Sequence, residues 1–172
     1  MNITGGIYKG RKIKAPDEKI VRPTLSKVRM SVFNTLFSIL GEFDGKSFLD
    51  MFGGSGIMGL EALSRGFEKV VVFEKNRTVG EIIKSNYKTL GLTADIKIGD
   101  SIKLSKTLTD KFDVVYIDPP YKSGIYDNAI KAAPKSDIII LEHSENLVFG
   151  DYEIVKQKKY GDKYLTFLKE MM

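Results

Sequence analysis

Apolar and polar positions follow two patterns along most of the chain, one typical of buried strands and one typical of amphipathic helices. Short apolar runs predict five strands, at residues 46–51, 69–75, 94–100, 112–118 and 136–144. Segments with helical spacing of apolar residues lie between them and predict helices at residues 56–66, 77–91, about 101–108 and 124–134. Strands that alternate with helices predict an α/β fold with a mostly parallel sheet covered on both faces.

The two ends of the chain depart from this alternation. Residues 152–170 predict two strands joined at Tyr160-Gly161-Asp162, which form a C-terminal antiparallel hairpin. Near the front, GIYKGRKIKAP alternates around Lys9-Gly10 and predicts a short basic hairpin as an N-terminal extension. A helix is expected next, with Thr24 as its N-cap, Gly41 at its end and one apolar face, formed by Val28, Val32, Leu36 and Ile39.

Length and composition indicate one globular domain, because 172 residues with 42% hydrophobic content can bury a sizeable core. We expect a single domain over residues 1–172, with residues 1–22 as the basic extension and residues 23–172 as the core. The chain has no cysteine, and its first ten residues, MNITGGIYKG, contain no apolar signal segment. The longest apolar runs have the length of strands, so we expect no membrane span and a cytoplasmic location.

Positive charge is concentrated at the front of the chain. Residues 1–40 carry eight basic and two acidic side chains, a balance of +6 in a chain whose net charge is +5, so the remainder sums to −1. A basic arm on a nearly neutral body suggests a polyanionic partner such as a nucleic acid. A solvated, lysine-rich surface has the same composition, and charge alone leaves both readings open.

A glycine-rich turn follows the first predicted strand. Gly54, Gly56 and Gly59 form a G-x-G-x-x-G pattern between strand and helix, which permits a tight turn and close approach of a ligand to the backbone. The strand ends in Asp50, whose charge would repel the pyrophosphate of a dinucleotide. A carboxylate instead suits a cationic ligand, and S-adenosylmethionine carries both an ammonium and a sulfonium group.

Two further predicted strands end in acids. Glu74 lies 24 residues after Asp50, about the spacing at which an acid binds ribose hydroxyls in such folds. Asp100 follows the third strand, where its carboxylate could accept a hydrogen bond from an adenine amino group. Single acids at strand ends usually cap the next helix, but three beside a glycine-rich turn favour an adenosyl pocket. Phe52 could pack under the cofactor or fill the core.

The fourth predicted strand runs into Asp118, Pro119, Pro120 and Tyr121. The prolines fix φ and donate no amide hydrogen, so the carbonyl groups nearby stay rigid and able to accept. Asp118 and the Pro119 carbonyl can hold an exocyclic amine while its base stacks on Tyr121, a contact of about 1–3 kcal/mol. The segment therefore indicates methyl transfer to the amino group of a planar base. The alternative is a stiff connection between strand and helix.

The motifs in combination resemble a known family. Asp-Pro-Pro-Tyr together with LDMFGGSGIMGLEALSRG resembles amino-group methyltransferases that use S-adenosylmethionine. The segments RPTLSKVRMSVFNTL and GGIYKGRKI before these motifs, and LEHS and KYGDKYLTFL after them, resemble the RsmD family of bacterial 16S ribosomal RNA guanine-N2 methyltransferases. This resemblance spans essentially the whole chain, with the motifs in the expected order.

The resemblance implies a seven-stranded, Rossmann-like class I methyltransferase fold that binds S-adenosylmethionine. The implied substrate is one guanine of 16S ribosomal RNA in the assembled or assembling small subunit. With the reasoning above, we expect the cofactor to contact Asp50, Phe52, Gly54, Gly56, Glu74 and Asp100. We expect the catalytic segment to be Asp118, Pro119, Pro120 and Tyr121. We expect RNA contacts at Lys9, Arg11, Lys12, Arg22, Thr24 and Arg29.

Two other functions share some of these motifs. DNA methyltransferases acting on adenine N6 or cytosine N4 also use Asp-Pro-Pro-Tyr, but they usually add a target-recognition segment, for which 172 residues leave no room. A non-catalytic RNA-binding assembly factor could keep the same scaffold, although every expected site residue is present here. We expect no metal site, because His143 is the one histidine and cysteine is absent, and we expect a monomer.

Overall fold

The computed structural model describes residues 1–120 and 124–172. Its helices are α1 (Ser26–Leu40), α2 (Ile57–Ser64), α3 (Arg77–Thr89), α4 (Ser101–Ser105) and α5 (Ile125–Ala132). Its strands are β1 (Ser47–Asp50), β2 (Lys69–Glu74), β3 (Asp95–Ile98), β4 (Phe112–Ile117), β5 (Ser136–His143), β6 (Tyr152–Tyr160) and β7 (Lys163–Glu170). Within this part of the chain, none of the helices combines the length and hydrophobicity that crossing a bilayer requires.

One seven-stranded sheet runs through the molecule in the order β3-β2-β1-β4-β5-β7-β6. Strands β1 to β5 pair in parallel, whereas β7 pairs antiparallel with β5 and β6 with β7. The predicted parallel sheet and C-terminal hairpin are therefore confirmed. Strand order reverses between β1 and β4, so the carboxyl ends of the central parallel strands meet at a switch point of the kind where α/β folds bind ligands.

Helices cover both faces of the sheet, which explains why its central strands are apolar on both sides. One face packs against α1, α2 and α3, with Phe33 of α1 stacked on Phe48 of β1 at 5.8 Å between ring centroids. Phe48 in turn stacks on Tyr116 of β4 at 6.3 Å. The other face packs against α4 and α5. Each large apolar side chain buried in these layers contributes about 1.5–3 kcal/mol, so the strand ends are held on a rigid support.

The N-terminal extension pairs differently from the predicted hairpin. The Ile3 N–H donates to the Arg11 carbonyl at 3.1 Å, and the Ile13 N–H donates to the Met1 carbonyl at 2.9 Å. An isolated antiparallel bridge joins Asn2 to Lys12, with bends and turns over residues 5–10, so the extension folds back on itself as predicted. The pairing is not centred on Lys9-Gly10, because residues 1–3 pair with residues 11–13. Ile3 and Ile13 are buried, so this apolar pair attaches the extension to the core.

Helix α1 also begins differently from the prediction. Leu25 occupies the N-cap position with no side-chain hydrogen bond, so the assignment of Thr24 as N-cap was wrong. The Thr24 carbonyl instead accepts a hydrogen bond from Nη1 of Arg29 at 2.5 Å, which ties the segment before the helix to its first turn. The predicted helix end is confirmed, since Gly41 has φ +78° and its N–H donates to the Phe37 carbonyl at 2.8 Å.

A buried group of charges joins the extension to α1 and α2. We call it the Glu61 cluster: Thr4, Arg29, Glu61 and Arg65. Glu61 is fully buried, and Nε of Arg29 lies 3.0 Å from its Oε1 while Nη1 of Arg65 contacts its Oε2. The backbone N–H and the hydroxyl of Thr4 both donate to Glu61 Oε1 at 2.8 Å. Every charge in the cluster therefore has a partner of opposite sign or a hydrogen bond.

Candidate active site

Acidic side chains from several neighbouring strands meet in one cleft of about 560 Å³ at the carboxyl edge of the sheet. One wall of the cleft is the segment that leads into α1, and another is the turn between β6 and β7. The acids that line it lie at or just after the ends of strands β1, β2, β3, β4 and β5: Asp50, Glu74, Asp100, Asp118 and Glu142. The expectation that strand-end acids lie together is met for all four acids named from the sequence.

The glycine-rich turn is pressed against strand β2. The Gly53 N–H donates to the Phe73 carbonyl at 2.7 Å, and a Cβ at Gly53 would lie only 2.9 Å from that carbonyl oxygen. Gly54, with φ +54°, lines the cleft. Gly56 does not line it. This residue takes φ +76° at the start of α2, and a Cβ there would lie 2.8 Å from the Ile83 side chain, so Gly56 shapes the turn and its packing.

Asp50 is the most buried acid of the cleft. Its side chain has no exposed surface, Oδ1 accepts from the Phe52 N–H at 3.3 Å, and Oδ2 has no hydrogen-bond partner among the described residues. Burial raises the pKa of Asp50 well above its usual value, and the negative charges of Asp118, Glu74 and Glu142 raise it further. An unpartnered carboxylate oxygen at a cleft suits a ligand that brings a cation or a hydrogen-bond donor.

Glu74 and Asp100 serve local structure and also lie at the cleft. Oε2 of Glu74 accepts from the Gly54 N–H at 2.8 Å, and Oε1 accepts from the Asn76 N–H at 2.7 Å, so Glu74 fastens the glycine-rich turn to β2. Burial raises the pKa of Glu74, and these hydrogen bonds oppose the shift. Asp100 caps α4 by accepting from the Lys103 N–H at 3.1 Å. Phe52 is partly buried and belongs to both the core and the cleft lining.

Asp118 leaves strand β4 into the cleft and is partly buried. Burial, and then the neighbouring Glu142 carboxylate, raise the pKa of Asp118 to about 7, while Lys163 and Arg22 pull it in the opposite direction. Pro120 lines the cleft, whereas Pro119 is buried and is not part of that lining. The predicted aromatic platform, Tyr121, lies outside the described residues.

Glu142 is a cleft residue that the sequence reasoning did not assign. It lies near the end of β5, is 6% exposed, and accepts a hydrogen bond from the Tyr116 hydroxyl at Oε1. Nζ of Lys163 lies 3.7 Å from its Oε2. Burial raises the pKa of Glu142, and the Tyr116 hydroxyl and Lys163 oppose the shift. Glu142 ends the apolar run IIILE, just as Asp50 ends the apolar run of β1, so the same sequence pattern could have identified it. We call Asp50, Asp118 and Glu142 the cleft acids.

The residues predicted to contact RNA fall into three groups. Lys9, Arg11 and Lys12 are exposed on the extension. Arg22 and Thr24 line the cleft, and Arg22 is close enough to Asp118 to lower its pKa. Arg29 is 2% exposed, and its guanidinium is hydrogen-bonded within the Glu61 cluster and to the carbonyls of Thr24 and Asn2. Arg29 is therefore a structural residue, which corrects its assignment as an RNA contact.

Comparisons with known proteins agree with this architecture. A family model described as "Conserved hypothetical protein 95" matches residues 1–169. YlbH of Bacillus subtilis, provisionally named an rRNA methyltransferase, is 32% identical over 94% of both chains. Ribosomal RNA small subunit methyltransferase D of Escherichia coli is 32% identical over 76% of this chain and 65% of that protein.

A solved structure shows the same fold. The Escherichia coli protein yhhF, provisionally named a methyltransferase, superimposes with a TM-score of 0.86 over 99% of this chain and 98% of that chain, at 24% identity. Both proteins therefore share one fold, a seven-stranded, mostly parallel α/β sheet. From the match of the family model over nearly the whole sequence and the 32% identity to its relatives, the chain belongs to the RsmD family.

Proposed function

We propose that this protein transfers a methyl group from S-adenosylmethionine to the exocyclic N2 of a guanine in 16S ribosomal RNA of the small subunit. The observation that carries the proposal is the single cleft shared by the glycine-rich turn with Asp50 and by Asp118 at the end of β4. A cofactor site and a site for a reactive amine would thereby lie side by side. The name of the Escherichia coli relative, a ribosomal RNA small subunit methyltransferase, supports RNA as the substrate.

The residues that line the cleft fit S-adenosylmethionine. Asp50 offers a buried oxygen without a partner, and Glu74 holds the backbone at Gly54 in place. Asp100 and Phe52 complete this side of the cleft, where an adenine would find an acceptor and an apolar surface. When bound, the cofactor would supply an electrophilic methyl group on a sulfonium, and the electron pair of the broken carbon–sulfur bond would stay on sulfur.

Asp118 would orient the amine and then take its proton. Its carboxylate would accept an amine hydrogen and leave the nitrogen lone pair directed at the methyl group. A second hydrogen bond, to the carbonyl of Pro119, stays a prediction, because Pro119 is buried and does not line the cleft. Once the new carbon–nitrogen bond forms, the nitrogen carries a positive charge and loses a proton. Asp118 is suited to hold that proton, since its pKa of about 7 is well above the usual range of a carboxyl group. Stacking of the base on Tyr121 stays a prediction.

Basic residues of the extension and of the cleft wall would bind the RNA backbone. Residues 1–22 would act as the RNA-binding extension of a catalytic core at residues 23–172. Lys9, Arg11 and Lys12 are exposed there, and Arg22 and Thr24 lie at the cleft itself. Such binding depends on salt because phosphate contacts release counterions. We propose that the protein acts in the cytoplasm as a monomer, and that ribosomal proteins of the small subunit complete recognition of the site.

Methyl transfer from labelled S-adenosylmethionine to small subunits that lack their own modifications tests this function, with free 16S RNA and DNA in parallel. We expect N2-methylguanosine at one site of the subunit, identified by mass spectrometry of the digested RNA. Methylated adenine or cytosine in DNA would replace the proposal with a DNA amino methyltransferase. RNA binding without cofactor binding would replace it with a non-catalytic assembly factor.

A further inference from the structure

Glu142 lies beside the proposed reaction centre, but the proposed methyl transfer gives it no role. Strands β4 and β5 pair in parallel with Ile117 opposite Leu141, so the next residues, Asp118 and Glu142, lie side by side at the carboxyl end of this strand pair. Tyr116, two residues before Asp118 on the same face of β4, donates its hydroxyl hydrogen to Glu142 Oε1. Both carboxylates line the cleft. A second acceptor therefore stands directly beside the one that would hold the amine.

The surroundings of Glu142 hold its carboxylate in one orientation. Tyr116 is itself 1% exposed and lies in the aromatic stack with Phe48, so its hydroxyl is a fixed anchor for Oε1. Glu142 is 6% exposed, and the ammonium group of Lys163 lies 3.7 Å from its other oxygen. Each oxygen of Glu142 therefore has one partner, and a carboxylate oxygen has a second lone pair with which it can accept a hydrogen bond from a ligand in the cleft.

The Watson–Crick edge of guanine matches this row of groups. It presents the N2 amine and the N1–H as neighbouring donors, followed by the O6 acceptor. Adenine and cytosine also carry an exocyclic amine, but the ring nitrogen next to it is an acceptor. Asp118 and Glu142 are neighbouring acceptors, and Lys163 provides a donor next to Glu142. Enzymes that modify a base outside its stack commonly read it at this edge.

We infer that Glu142 determines the base specificity, by accepting the N1–H of the target guanine while Asp118 holds the N2 amine. This inference rests on the proposed function. Adenine or cytosine in the same position would set a ring nitrogen lone pair against the Glu142 carboxylate. The mismatch leaves two acceptors facing each other in a buried site, which is the kind of pairing that discriminates strongly between substrates.

A base analogue tests this directly. 2-Aminopurine keeps the N2 amine but has a lone pair at N1, and it can be placed at the target position of RNA that is assembled into small subunits. We expect the wild-type protein to prefer guanine by about 10- to 100-fold in kcat/KM, the range typical of one well-made base contact. Glu142→Gln presents an amide N–H to N1, so this variant should lower the preference by about tenfold or more.

Matched variants separate reading of the base from support of the fold. Tyr116→Phe removes the anchoring hydroxyl but keeps the carboxylate, so it should retain a preference for guanine even where its rate falls. Thermal unfolding and the binding of S-adenosylmethionine show whether each variant is folded. Should Glu142→Gln fail to fold, Glu142→Asp takes its place, because its shorter carboxylate withdraws the acceptor from N1 and must also reduce the preference.

The possible outcomes distinguish this inference from the function on which it rests. Equal wild-type rates on guanine and 2-aminopurine would overturn the role of Glu142 and leave the methyltransferase proposal standing. A folded Glu142 variant with an unchanged preference would do the same. If the wild-type protein transfers no methyl group to guanine N2 of subunits, the proposed function fails, and the specificity role fails with it.

Discussion

Two groups of buried charges in this protein are built in opposite ways. In the Glu61 cluster, one acid contacts two arginines and accepts two hydrogen bonds from Thr4. Among the cleft acids, Asp50 keeps an oxygen without a partner among the described residues, and the pKa of Asp118 is raised to about 7 mainly by burial. The first group is close to electrically balanced, whereas negative charge dominates the second.

The difference shows which group serves the fold and which serves a ligand. Removing one member of a buried ion cluster destabilises the folded protein, because a buried charge is then left without its partner. Buried acids that repel one another destabilise the folded protein until something bound in the cleft supplies cations or hydrogen-bond donors. Substitutions should therefore have opposite effects in the two groups: loss of stability in the Glu61 cluster, and loss of activity with a gain of stability among the cleft acids.

The largest expected effect is on catalysis. Asp118→Asn removes the group that would hold the amine and take its proton, so kcat/KM for methyl transfer should fall by about 10³-fold. The dissociation constant for S-adenosylmethionine, measured by calorimetry, should change little. Asp113→Asn is a matched control on the same strand, where Asp113 accepts from the Ser47 N–H at 2.7 Å, and it should keep normal transfer. Normal turnover by Asp118→Asn would refute its role.

The next effect is on stability, in the balanced group. Glu61→Gln leaves two arginines without their counter-charge, one of them 2% exposed, so the free energy of unfolding should fall by about 3 kcal/mol. Urea unfolding measures the change. Glu81→Gln is the control, since its ion pair with Lys84 at 3.3 Å is exposed and should contribute less than about 1 kcal/mol. Equal losses in both variants would contradict the comparison.

The pH dependence of transfer should follow the protonation of Asp118. Its carboxylate form accepts the proton, so kcat/KM should rise about tenfold per pH unit up to about pH 7 and level off above it. The Glu142 carboxylate raises the pKa of Asp118, and the positive charges of Lys163 and Arg22 lower it, so removing one of these charges should move the inflection. A rate profile without an inflection near neutral pH would exclude Asp118 as the proton acceptor.

The same protonation has the opposite effect on stability. Because the folded-state pKa of Asp118 is raised above its usual 3.8, the folded protein keeps a proton that the unfolded chain has lost between about pH 4 and pH 7. The contribution of this group is therefore most favourable at low pH and declines as pH rises through that range. Urea unfolding of the wild-type protein and Asp118→Asn across these pH values should converge at the acid end.

The smallest effect is expected at Asp50. Asp50→Asn removes a buried negative charge whose pKa is raised by burial, so the free energy of unfolding should increase by about 1 kcal/mol. Affinity for S-adenosylmethionine should fall about tenfold, because the amide supplies less charge to a cationic ligand. Asp95→Asn, an exposed acid on β3, is the control and should change neither quantity. If Asp50→Asn instead lowers the free energy of unfolding, Asp50 supports the fold in the way that the Glu61 cluster does.

The order of elements followed from the sequence because periodicity is a local property of the chain. Apolar runs bounded by helical segments were enough to predict five parallel strands and the closing hairpin, and the observed bounds of these elements differ by at most three residues. The acids at strand ends were equally readable, since parallel strands end at one edge of a sheet. Asp50, Glu74, Asp100 and Asp118 all line the cleft.

Only the tertiary structure decided what each charged or polar side chain faces. Arg29 looked like an RNA contact, yet Glu61, 32 residues away in sequence, buries and neutralises it. Glu142 looked like the end of a buried strand, yet Tyr116 and Lys163 hold it beside Asp118. Local periodicity reports which residues avoid water, whereas the partner of a buried charge depends on contacts between distant segments. The sequence therefore determined the sheet and the edge that carries the site, and folding determined which charges are balanced there.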